Sequence, residues 1–139
     1  MKRNLLGSIA VAVAAIAFSS PAVLAQHGAT KVDVPFAFQL GKSSLPAGTY
    51  LVNSNDGILL TVSEQSTGQK LFAMGQHEIE NTAREPRLVF HKYGDKYFLA
   101  DIWSSSKDGL KLHVTRQEQE YRASANQAQP EQDVLLAMN

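Results

Sequence analysis

Four histidines and one aspartate are the residues of this chain whose chemistry goes beyond packing. The histidines are His27, His77, His91 and His113. If residues 88–93 and 96–103 pair as a hairpin with a two-residue loop, His91 lies opposite Phe98. If Trp103 then pairs with Leu110, His113 lies opposite Ala100, and both imidazoles share one face. Two strands apart is ~10 Å between backbones, wide for ligands held ~2.1 Å from one zinc ion. In this register no carboxylate stands beside them. His91 and His113 are therefore weak metal candidates, and imidazoles at the polar margin of a sheet are the simpler expectation.

Asp101 is the more unusual residue. It interrupts a strongly apolar strand, on the face predicted to carry Tyr97, Leu99 and Trp103. A carboxylate buried there needs a partner or a raised pKa. It reads either as an acid, base or ligand-orienting group in a cavity, or as a structural ion pair or hydrogen bond at the sheet's end. Phe90, Tyr97, Leu99, Asp101 and Trp103 form the candidate ligand-binding set. No catalytic residue is assigned. No serine stands in a Gly-x-Ser-x-Gly elbow, and no glycine-rich phosphate loop is present. Glu78/Glu80 and Glu118/Glu120 fall in polar stretches and read as solvated charge.

These residues depend on the stretch LVFHKYGDKYFLADIW, residues 88–103. Gly94-Asp95 supplies the glycine that a two-residue hairpin loop needs at φ > 0. Leu88, Phe90, Leu99 and Trp103 are expected on one face, and Val89, Tyr93, Phe98, Ala100 and Ile102 on the other. A hairpin apolar on both sides belongs inside a fold, covered twice. The wider aromatic set, Phe36, Phe38, Tyr50, Phe72, Tyr93 and Phe98 with Phe90, Tyr97 and Trp103, reads as packed core, or else as a cavity lining or binding patch.

Around this hairpin the chain alternates apolar and polar residues between turns. Residues 32–40 form one strand, with Pro35 arguing for an edge. Leu45-Pro46-Ala47-Gly48 reads as a type I turn and Asp56-Gly57 as a hairpin turn. Strands are expected at 50–54, 58–63, 70–75, 110–115 and 133–138. Residues 77–85 read as a loop, and 116–125 as a short surface helix. The fold class is therefore all-β: about eight antiparallel strands in a meander, closing as a barrel or half-closed barrel, or folding into a two-sheet sandwich.

The 139-residue chain divides into an address and one domain. Lys2 and Arg3 precede an apolar run at residues 5–18, and Val23-Leu24-Ala25 offers a cleavage site. Residues 1–25 read as a signal peptide, the run being shorter than the ~20 residues that span a bilayer. Residues 26–139 form the domain, with no transmembrane segment expected and, lacking cysteine, no lipid anchor. Removing Lys2 and Arg3 from 13 basic residues leaves 11 against 13 acidic, a net charge of −2. That balance gives no electrostatic footprint for nucleic acid. The absence of cysteine removes disulfides, thiol nucleophiles and cysteine-based metal sites, and no cofactor is expected.

PFAFQLGKSSLPAGTYLV, at residues 35–52, and the hairpin at 88–103 together resemble a family of small secreted bacterial proteins. Its members pair a Pro-Phe-x-Phe strand and a Leu-Pro-Ala-Gly-Thr-Tyr turn with an aromatic Tyr-Gly-Asp hairpin. The resemblance covers most of the domain and implies an exported all-β protein. It brings no activity, substrate or catalytic residue with it. The first expectation is thus an exported, periplasmic or extracellular, non-enzymatic β domain that binds a protein or an envelope component. The second is a lipocalin-like carrier of a small apolar ligand. The third is an enzyme built on Asp101 or the histidines.

Overall fold

The computed structural model describes residues 28–55, 57–82, 84–105, 107–124 and 132–138. The expected signal peptide and His27 lie outside them. Alternation of apolar and polar residues, broken by glycine turns, folds these residues into ten strands and one helix. The strands are β1 (Thr30–Val34), β2 (Phe38–Leu40), β3 (Ser43–Leu45), β4 (Gly48–Asn55), β5 (Leu59–Glu64) and β6 (Lys70–Ile79). There follow β7 (Arg87–Tyr93), β8 (Lys96–Trp103), β9 (Asp108–Leu112), helix α1 (Arg116–Ser124) and β10 (Gln132–Ala137).

The sheet runs β1-β4-β5-β6-β9-β8-β2-β3, with β7 on β8 and β10 on β7. It does not close on itself, and the architecture is an all-β sandwich or half-open barrel with a short helix near the C-terminus. Two antiparallel meanders, β4-β5-β6 and β7-β8-β9, join through β6 and β9. The expected single strand over residues 32–40 is broken. Pro35 cannot donate to a ladder, and the chain leaves β1, paired with β4, to place β2 parallel beside β8. Residues 77–79, expected in a loop, extend β6 because β9 supplies them a partner.

Apolar faces of the two meanders meet in one core. Tyr50, Leu60, Phe90, Leu88, Ile102 and Leu110 are almost wholly buried there. The Pro-Phe-x-Phe segment reaches this core from its margin: Phe36 stacks on Tyr97 at 3.9 Å, Phe38 is buried, and both meet Phe90 edge-on. The Leu-Pro-Ala-Gly-Thr-Tyr turn is closed by the Tyr50 hydroxyl, which donates to the Pro46 carbonyl. Burial, with Glu64 adding repulsion, pushes that phenol up to about 12.

Candidate functional site

The hairpin turns at Gly94, whose φ is 60°, and His91 pairs with Phe98 as the two-residue loop requires. Further along, the register slips. Val89 faces Asp101 while Phe90 faces Leu99, leaving Ala100 as an extra residue in β8. Such a bulge shifts every later side chain by one place. Ile102, expected on the face of Val89, joins the face of Leu88, Phe90 and Leu99 instead, and Trp103 leaves it. Asp101 accordingly does not share a face with Leu99 and Tyr97, as expected, but lies with Val89 and His91.

The candidate set is therefore divided by the sheet. Phe90 and Leu99 belong to the core, and Tyr97 packs against its margin. Trp103 lies on the opposite face, under the Arg87 guanidinium at 5.0 Å and over Gly109. These five residues do not surround a common cavity. His113 is displaced too: β9 pairs Leu110 with Ile102 and not with Trp103, so His113 does not face Ala100. It lies exposed beyond the end of β9.

On this outer face a polar network replaces the bare imidazoles expected there. Helix α1 has almost no apolar side, and its buried side chain is Glu118, only 4 % exposed. Glu118, expected as solvated charge, has its Oε1 2.8 Å from Nδ1 of His91 and accepts from the Tyr93 hydroxyl at 2.9 Å. Thr115 caps the helix, its hydroxyl accepting from the Glu118 amide at 3.1 Å. The hydrogen bond to Glu118 raises the His91 pKa against the opposing effect of burial. The Tyr93 phenol is pushed up by burial and by Glu118.

Asp101 stands near this network without joining it. Its Oδ1 is the buried side-chain oxygen that lacks a hydrogen-bond partner among the described residues. Burial raises its pKa, with Lys111 and His91 pulling the other way. Lys111 itself reaches Glu78 at 3.6 Å. His77 meets Asp108 at 3.3 Å on the exposed margin. Among the described residues no group of three or more His, Asp or Glu side chains is placed to hold a metal ion.

The open space lies elsewhere. β8 is flanked by β2 at Phe98 and by β9 from Asp101 onward, and between these neighbours its edge is bare. A cavity of about 200 Å³ occupies that gap. Phe98, Leu99 and Leu112 floor it, Gln39 and Gly41 lie on one side, and Phe72, Ala73 and Met74 of β6 on the other. His113, Thr115 and Glu118 lie at the helix end. The hollow continues past Gly41 and Thr115 to Lys42, Arg116 and Glu120. Phe72, expected among the packed aromatics, is 64 % exposed here, as is Met74. Thr115-x-x-Glu118 carries the helix-start signature that would have located this end of the site. No sequence signal marked the gap itself.

Set against protein-family models, curated proteins and solved structures, the chain finds no match.

Proposed function

We propose that the protein is an exported, non-enzymatic β domain that acts by binding another protein or an envelope component at its surface. The observation that carries this reading is the pairing of a filled interior with exposed apolar side chains, of which Phe72 and Met74 stand together beside the gap. Phe38, Tyr50, Phe90 and Leu60 fill the space a barrel ligand would need. Phe72 and Met74 instead project beside the open gap of β6, where an apolar partner surface would cover them. The hollow there lies at the open edge between β6 and helix α1 and not inside a closed barrel, which favours a surface partner over a lipocalin-like carrier. An enzyme has less support still: Asp101 and His91 do not line the cavity, and His113, which does, is exposed beyond β9.

Export is part of the proposal, supported by the charged start, apolar run and Val23-Leu24-Ala25 of the first 25 residues. A mass of the exported protein beginning at Gln26 is expected. Binding is tested with a photo-crosslinking residue at position 72 in the exporting cell. A covalent adduct with an envelope or secreted protein is expected, and a folded protein that forms none would sink the reading. Native mass spectrometry with an organic extract of the same sample should show a bare protein. A stoichiometric small molecule would put the carrier first.

A further inference from the structure

The half of β6 that carries Phe72 and Met74 is a sheet edge in the middle of a sheet. Residues 70–74 pair with β5 on one side. On the other side β9 accompanies β6 only from Gly75 to Ile79. Leu112 is the last residue of that ladder, because the chain then turns away to cap helix α1 at Thr115. Where β9 stops, β2 takes its place beside β8 at Phe98, but beside residues 70–74 of β6 there is the cavity and, among the described residues, no paired strand.

Hydrogen-bond parity fixes which backbone groups face this track. The Gly75 amide donates to Ile58, on the β5 side. The Glu80 amide donates to Lys107, on the β9 side. Amides and carbonyls of one strand alternate sides, so those of Phe72 and Met74 aim into the vacated track. The same two residues hold their side chains 64 % exposed on the outer face. A long apolar edge with unpaired backbone groups is a template for another strand.

Resting on the binding reading above, we infer that β6 takes its partner by strand addition. The occupant is an extended segment of another protein, lying antiparallel to β6 where β9 would have continued. Its residues opposite Phe72 and Met74 exchange backbone hydrogen bonds and lie beside those side chains. The residue between them, opposite Ala73, points inward to Leu99 and Leu112, where the gap has room for one branched aliphatic side chain. The recognised motif is thus a short β segment with an aliphatic residue at its inward position. Main-chain pairing gives affinity in such complexes, and the inward pocket gives selectivity.

Peptide titrations followed by amide NMR of the exported protein test this. The probe is acetyl-Thr-Val-Thr-Val-Thr-amide, with two versions N-methylated either at the threonines or at the valines. Saturating shifts at Phe72, Met74 and the gap residues are expected with the unmodified peptide. Methylating the threonines, whose amides would face β6, should weaken binding about tenfold or more. Methylating the valines should change it less than threefold. Equal loss with both methylated peptides, shifts on another face, or none at millimolar peptide would overturn strand addition. So would self-association through this edge without peptide, which would assign it to a second copy. A crosslink at position 72 together with indifference to N-methylation would leave the binding reading standing and remove strand pairing alone.

Discussion

Nδ1 of His91 and Oε1 of Glu118, 2.8 Å apart, join helix α1 to the sheet through a charge-assisted hydrogen bond and not through an apolar stripe. Phe98 and Tyr121 add a tilted ring contact at 6.1 Å. A helix this polar has little to gain from apolar burial, so its docking leans on the hydrogen bonds that Glu118 makes with His91 and Tyr93.

Stability should therefore fall as the solution turns alkaline. The His91 pKa is raised above its ordinary 6.5, mainly by Glu118, so folding favours the imidazolium. That contribution is complete below about pH 6.5 and is lost as pH rises through the higher folded value. Thermal melts between pH 5.5 and 8.5 should show a loss on the order of 1 kcal/mol in the parent, absent in His91→Gln. Parallel curves for the two proteins would refute the linkage.

Asp101→Asn should leave the fold intact and raise the melting temperature at pH 7. The raised Asp101 pKa means that ionised Asp101 opposes folding, by about 1 kcal/mol or less given its partial exposure. Its contribution is favourable below the ordinary carboxylate value of 3.8 and is lost as pH rises through the folded value. The gap between variant and parent should thus narrow in acid. A clear destabilisation at pH 7 would reveal an ion pair that depends on it.

Gly109→Ala should cost about 1–3 kcal/mol. A methyl there would lie 2.5 Å from Cε3 of Trp103, in the ring's own space. Trp103 is the sole tryptophan, so its fluorescence reports the displaced indole directly while urea melts report the stability. Unchanged emission and midpoint would contradict the packing.

Tyr50→Phe should lower stability by about 1 kcal/mol through the loss of one part-buried hydrogen bond to the Pro46 carbonyl. Urea denaturation at constant m would read this as stability alone. No change in midpoint would mean that the hydroxyl does not hold the turn.

Much of the fold was written in local pattern, because alternation and glycine turns are local physics. Gly94 marked the hairpin, and the Phe36, Phe38 and Tyr50 motif residues went where apolar periodicity sends them. What escaped was set by tertiary choice. Nothing in Leu99-Ala100-Asp101 announces a bulge, yet that one extra residue exchanged the faces of Ile102 and Trp103 and moved Asp101 away from Leu99. Glu118 escaped because composition assigns a glutamate among Arg116, Gln117, Gln119 and Glu120 to solvent. Only the imidazole and phenol waiting on β7 make its burial tolerable. The bare edge of β6 followed from where β9 stops, which depends on the helix cap at Thr115.

β6 ties the two meanders together, pairing with β5 through Met74 and with β9 from Gly75. At the changeover a side chain on Gly75 would come within 2.3 Å of the Lys111 carbonyl, so the two ladders meet with no slack. Neither half can therefore come apart without stripping a strand from the other. The domain should unfold as one cooperative unit, with amides in β5 (Leu59–Glu64) and β9 (Asp108–Leu112) exchanging at a common rate despite their distance along the chain. Such distant pairing places its folding among the slower β topologies, in milliseconds to seconds. Until that second ladder forms, Gly75–Ile79 lack their partner as well as Lys70–Met74, and this longer open edge of β6 is where aggregation would begin.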